Sequence, residues 1–190
     1  LEEDELFDLR RSLSTIDGIV KILNHSDDDE AEQEDGWRRE KKYPYPALHR
    51  LSADVMSFPQ LIQRIDQILD KFGKIRDNAT PELLQIRREL AKTEGSISRT
   101  LYGILRAAQS EGVVEKDVTP TLRDGRLVIP VIPTLKRKIK GIVHDESATG
   151  RTVFIEPTEV VEANNRVREL EGEERKEIIR ILTDFTNKVR

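Results

Sequence analysis

The sequence predicts an α+β protein that is mainly α-helical, with a small antiparallel β-sheet set among long helices. Three observations carry that reading. Of 190 residues, 36% are hydrophobic and 36% charged, with only 5% aromatic, a balance that suits long helices with wide solvated faces rather than a compact sandwich. Apolar residues recur at spacings of three and four through 6–23, 58–75 and 83–108, as one buried stripe of a helix requires. Between 113 and 157 the period falls to two and the segments turn β-branched, which is the pattern of strands.

The first stripe is Leu6, Leu9, Leu13, Ile16, Val20 and Leu23, so 1–25 is expected to be the N-terminal helix of a helical core. Residues 26–45 read as a mobile acidic loop, because DDDEAEQEDGWRRE around the single Trp37 offers too little apolar surface to offset the entropy of ordering. YPYP at 43–46 then breaks any helix. A helical hairpin is expected over 46–112. It opens with a short helix over 47–57 with Leu48, Leu51 and Val55 inward, followed by a seam of Phe58, Leu61, Ile65, Ile68, Phe72 and Ile75 spanning about five turns. At Thr80-Pro81-Glu82 three signals agree: a hydroxyl able to accept from free amides, a proline where no amide is needed, and an acid at the positive dipole end. Leu83, Ile86, Leu90, Ile97, Leu101, Ile104 and Ala108 continue the helix to about Ser110, antiparallel to its predecessor because the connection is short.

Strands are expected at 118–122, 126–132, 139–144 and 151–155 within a small β-sheet region, 113–157. Asp124-Gly125 is a hairpin turn signal, while Pro130 and Pro133 confine their strand to an edge or a bulge. Residues 158–190 resume a helix through Val160, Val161, Asn164, Val167, Leu170, Ile178, Ile181, Phe185 and Val189. Its segment EGEERKE, 171–177, is charged all round and holds Gly172, at about 1 kcal/mol relative to Ala, so a weak point is expected there. Asn164 and Asn165 suit polar packing against the sheet.

No stretch approaches the roughly 18 apolar residues of a membrane span, and no basic segment leads into an apolar one at the start. With cysteine absent, disulfides and thiolate metal sites are excluded, and a cytoplasmic protein without a membrane partner is expected. The net charge of −4 averages two opposed regions. Residues 1–35 hold thirteen acids against three bases, and 121–151 hold seven bases against three acids. A polyanion should therefore meet the second region.

The candidate nucleic-acid-binding residues lie there: Lys136, Arg137 and Lys138, with Lys140 next in phase and Arg123, Arg126 and Arg151 on neighbouring strands. Such a group would hold phosphate backbone with strong salt dependence and weak sequence preference. His144-Asp145-Glu146 brings an imidazole and two carboxylates together, but strand alternation puts Asp145 opposite the other two, and a single histidine is a poor metal set. No catalytic or metal site is assigned to it, nor to His25 or His49. Glu156-Pro157 reads as the start of a helix, with Glu156 in a capping role.

RDNATPELLQIRREL, RDGRLVIPV, KGIVHDESATGRTVFIEP and VVEANNRVRELEGEE, spread over 73–174, together with LFDLRRSL at 6–13, resemble the MutS superfamily of DNA-processing ATPases, specifically its second bacterial, recombination-suppressing branch. The resemblance implies a core-and-lever region that carries motion between a DNA-encircling part and a dimerising ATPase. It also implies that 158–190 is a lever helix leading to an ATPase domain that binds ATP and magnesium, with a small nuclease domain further on, neither being within this sequence. Implied partners are branched or duplex DNA, or structured RNA such as the ribosome, and a second copy of the full-length protein. The closest approach to a phosphate loop, 145–152, has Asp145 for the first glycine and Arg151 for the lysine, with a strand rather than a helix after it. No cofactor is therefore expected in this segment. Two other readings stay open from the residues alone: a coiled-coil adapter or dimerisation module without a nucleic-acid role, and an enzyme built on His144, Asp145 and Glu146.

Overall fold

A computed structural model describes residues 1–25 and 43–189. The acidic loop expected at 26–45, Trp37 included, lies almost wholly outside the described residues. Helices α1 (Glu3–Asn24), α2 (Pro46–Ser52), α3 (Pro59–Ile68) and α4 (Pro81–Ser110) precede four strands, β1 (Thr121–Arg123), β2 (Arg126–Val131), β3 (Gly141–Glu146) and β4 (Val153–Pro157), and α5 (Val161–Val189) closes the order. The fold class is the expected α+β. The chain forms two compact units, Leu1–Ala79 with Ile181–Arg190, and Thr80–Arg180. The 46–112 stretch expected as one hairpin is thus divided between them.

In the first unit α1 packs on α2 and α3, and the buried apolar side chains among the described residues are Leu6, Ile65, Ile68, Leu69, Ile75, Ile181 and Phe185. Arg10 Nε donates to Asp66 Oδ1 at 2.6 Å across the α1–α3 pair. Two expectations are corrected here. Helix α2 is short, ending at Ser52, and Leu48, Leu51 and Val55 are exposed rather than inward. Helix α3 stops at Ile68 instead of running five turns, and Phe72 is exposed. The cause is Asp70, whose carboxylate accepts from the amides of Phe72 at 2.8 Å and Lys74 at 2.9 Å, a local turn that competes with helix. Gly73 completes the turn with φ at 79° and lies so close to α1 that a Cβ there would meet the Phe7 ring at 2.9 Å.

In the second unit the start of α4 follows its signals. Thr80 Oγ1 accepts from the Leu83 amide at 3.1 Å and donates to Glu177 Oε1 at 2.7 Å. Leu83, Ile97, Leu101, Leu105 and Ala108 are its buried stripe. The core joins that stripe, from Ile97 onward, to Ile129 and Val131 of β2, Val153 and Ile155 of β4, and Val160 and Val167. All four strands are present, antiparallel, in the order β1-β2-β4-β3. Asp124 and Gly125 both have positive φ, 49° and 74°, as a type I′ turn requires.

Strand β2 is interior in that order, against the expected edge. It pairs with β1 through Arg126 to Val128 and with β4 through Ile129 to Val131. Pro130 therefore sits where only one neighbour is present, and its missing N–H costs no second ladder. Pro133 opens a short 3-10 helix, Pro133–Lys138.

Helix α5 pairs with α4 inside this unit through polar rungs. Arg87 Nε meets Glu174 at 2.7 Å and Arg166 meets Glu89 at 2.8 Å, and Arg166 also meets Glu173 of its own helix at 3.1 Å. The EGEERKE segment, whose all-round charge suits a helix projecting into solvent or bridging two bodies, directs Glu174 to Arg87 and Glu177 to Thr80, and holds Glu173 to Arg166 within α5.

Candidate functional site

The structure divides the seven candidate cations into two groups. Lys136, Arg137 and Lys138 end the 3-10 helix, Lys140 precedes β3, and Arg151 lies in the β3–β4 loop; all five are exposed. None has an ion-pair partner among the described residues. Arg123 and Arg126 are committed inside the chain. The Arg123 guanidinium lies 4.2 Å over the Phe154 ring and 3.9 Å from Asp145 Oδ2. Arg126 donates from Nη1 to Glu156 Oε1 at 2.7 Å and from Nη2 to Asn165 Oδ1 at 2.6 Å. Arg126 is thus a structural partner of Glu156 rather than part of an open basic face.

Glu156 does not cap a helix, as the sequence suggested. It lies inside β4 with 0% of its side chain exposed, on the face opposite Ile155, and it gathers three donors. Besides Arg126, Asn164 Nδ2 of α5 reaches Oε1 at 2.7 Å and His144 Nε2 of β3 lies 2.5 Å from Oε2. Asn164 also meets the backbone of Leu127, accepting from its amide and donating to its carbonyl, both at 3.4 Å. The expected polar packing of Asn164 and Asn165 against the sheet is present. Burial pushes the Glu156 carboxyl up, but the hydrogen bonds from His144, Asn164 and Arg126, with the Arg126 charge, outweigh it and hold it below its ordinary value.

His144 shares a strand face with Ile142, which is paired directly opposite Glu156, and the β3–β4 register shifts just beyond, between Val143 and Asp145. The extra residue of the resulting bulge is His144, and beyond it Asp145 pairs with Phe154, a residue in phase with Glu156. Strand alternation, which set Asp145 opposite His144 and Glu146, therefore fails at Asp145, while the imidazole joins Glu156 rather than either neighbour. VFIEP carries only a faint sequence signal, an acid in the same phase as Phe154; that the strand is buried at every position, so that the acid needs donors, shows only in the structure. Gly141 allows the approach of β3, since a Cβ there would lie 2.1 Å from the Glu156 carbonyl oxygen.

The 145–152 loop does not fit a nucleotide phosphate. The Ser147 amide donates to the Thr152 carbonyl and the Gly150 amide to the Ser147 carbonyl, both at 2.8 Å, and the Thr152 amide donates to Ser147 Oγ at 3.0 Å. These amides are used internally and cannot wrap an anion. Among the described residues no group of three His, Asp or Glu side chains is placed to hold a metal ion, and no helix is long and apolar enough to cross a membrane.

Fold and site together define a helix–sheet module whose long last helix is pinned to the sheet by a buried carboxylate and whose exposed cations stand apart from that pin. In sequence the chain is similar to proteins named Endonuclease MutS2. It is 38% identical over 148 residues to the one from Pelotomaculum thermopropionicum, covering 78% of this chain and 19% of that protein. With the one from Lacticaseibacillus paracasei it shares 35% identity over 189 residues, 100% of this chain and 22% of the relative. The Levilactobacillus brevis protein is 38% identical over 182 residues, 96% of this chain and 21% of the relative. No family model matches the chain. These likenesses support a relationship with the MutS family on its MutS2 branch. The chain spans about a fifth of the length of the relatives it matches.

Proposed function

We propose that this chain is the non-catalytic core-and-lever segment of a MutS-type ATPase that acts in DNA repair or recombination control. Its role is to couple nucleic-acid binding to ATP hydrolysis carried out, with magnesium, by a separate domain of the whole protein, which works as a homodimer. The observation that carries this reading is the Glu156 pin. Coupling at a distance is carried by packed elements, and Glu156 ties β2, β3, β4 and α5 through charge-assisted bonds to its fully buried side chain. The likeness to MutS2 proteins over almost the entire chain supports the same assignment. Nucleic acid, as duplex or branched DNA or structured RNA, is held by its phosphates, and the exposed Lys136, Arg137, Lys138, Lys140 and Arg151 are available to it.

The test is made on the whole protein with Glu156→Gln, which keeps an acceptor but removes the charge. Nucleic-acid affinity is expected to stay within about twofold, while the stimulation of ATP hydrolysis by nucleic acid falls about fivefold or more, the lower range of a typical coupling energy. Full stimulation in the variant would overturn the coupling role. ATP hydrolysis by the isolated 190-residue chain would overturn the non-catalytic one.

A further inference from the structure

Helix α4 has a second cationic surface, distinct from the seven candidates above. Arg88, Lys92, Arg99 and Arg106 are all exposed and have no ion-pair partner among the described residues. At 100° per residue they fall within about 40° of arc, centred opposite the buried stripe of Leu83, Ile97 and Leu101. The acids of the helix are Glu82, Glu89 and Glu94. Glu89 is engaged by Arg166 and Glu82 lies 3.9 Å from Arg180, while Glu94 points about 120° away from Arg88. The face is therefore purely positive over about 27 Å from Arg88 to Arg106, at 1.5 Å per residue.

The rest of this face is low. Gly95, Ser96 and Gly103 lie between the cations, and a Cβ at either glycine would meet nothing within 4 Å. Each glycine costs the helix about 1 kcal/mol relative to Ala, and no internal contact requires it. Their effect is to let an outside body approach the backbone between the cations.

We propose that the outer face of α4 is a docking surface for the phosphate backbone of a nucleic-acid duplex. The last three cations are seven residues apart, about 10.5 Å along the axis, close to three phosphates of one duplex strand at about 3.4 Å each. An acidic protein partner would need an apolar anchor, and a single strand would need interleaved aromatics; the face offers only the half-exposed Tyr102. The inference rests on the nucleic-acid association proposed above and gives it a second site.

The 190-residue chain and its R88Q/K92Q/R99Q/R106Q variant are titrated with a fluorescent 20-base-pair duplex at about 50 and 200 mM salt, the range over which phosphate contacts are read. Loss of four contacts should lower the log–log salt slope by about 3.6, and R99Q alone by about 0.9. Arg→Lys at the three arginines should restore the slope. Circular dichroism should match across the set, since Gln is as good a helix former as Lys. Duplex binding whose slope the four changes leave intact would overturn this inference alone. No duplex binding by the native chain would overturn the nucleic-acid association itself, and preferential binding of a poly-glutamate peptide would assign the face to an acidic protein instead.

Discussion

Glu156 is ionised where water does not reach, which makes it the residue on which substitution should cost most. Removing one partner of such a cluster strands the others, so Glu156→Ala is expected to lower stability by about 3 kcal/mol or more in urea unfolding. The acid limb follows from the direction of its shift. The folded carboxyl titrates below the ordinary value, so between the two values the unfolded chain binds the extra proton. The associated stability is complete above the ordinary value and lost as pH falls through the lowered one, with a limiting slope of about 1.4 kcal/mol per pH unit. Unfolding of native chain and Glu156→Gln followed from pH 6 to pH 3 should show the steeper fall in the native chain; equal slopes would refute the assignment. Gly141→Ala should also unfold at lower temperature, because its methyl group would meet the backbone of β4 rather than a movable side chain.

At the scale of elements, the pairing of α4 with α5 makes a different demand from the one expected. The sequence predicts a weak point in EGEERKE through Gly172, yet three of its acids are engaged with Arg166, Arg87, Thr80 and Arg180. The hydrogen bond from Arg180 holds the Glu177 carboxyl below its ordinary value, with Thr80 adding to it and partial burial opposing. Since these rungs stay partly open to solvent, salt should screen them in part. Amide exchange over 171–177 is expected to accelerate between about 0.05 and 0.5 M salt while exchange in β4 stays constant; equal responses would dissociate the rungs from helix stability.

Much at this scale was legible beforehand. Thr80-Pro81-Glu82, Asp124-Gly125 and the period of α4 act through neighbours in the chain, so sequence suffices to read them. The length of α3, the bulge at His144 and the role of Glu156 were not legible. Each depends on a side chain meeting partners distant in sequence, or, for Asp70, on a turn that competes with an apolar period continuing past it. The outer face of α4 was legible in principle from spacings of four, seven and seven, but attention to apolar phase alone passes over the opposite face.

At the scale of the whole molecule the two units differ in how much they bury. Among the described residues the first has seven buried apolar side chains, and several large ones on α1, α2 and the α2–α3 connection stay exposed, including Ile19, Ile22, Leu51 and Met56. In the second the buried cluster runs continuously from α4 through the sheet to Val167. Local opening follows buried contact, so native-state hydrogen exchange should be faster in α1 and α3 than in β2, β4 and the middle of α4. Uniform protection across both units would contradict this ordering.

The ionic centre of the sheet also bears on identity of structure as opposed to strength. Exchanging an entire interior ion cluster for oily residues of like volume is often neutral or stabilising, so a chain carrying Arg126→Met, His144→Leu and Glu156→Met together should melt no lower than any single replacement. What such a triple change would forfeit is the rule that only one alignment of β3 satisfies every charge. Several competing alignments, visible as multiplied amide resonances for Gly141 and Val143, are the expected signature of that lost uniqueness.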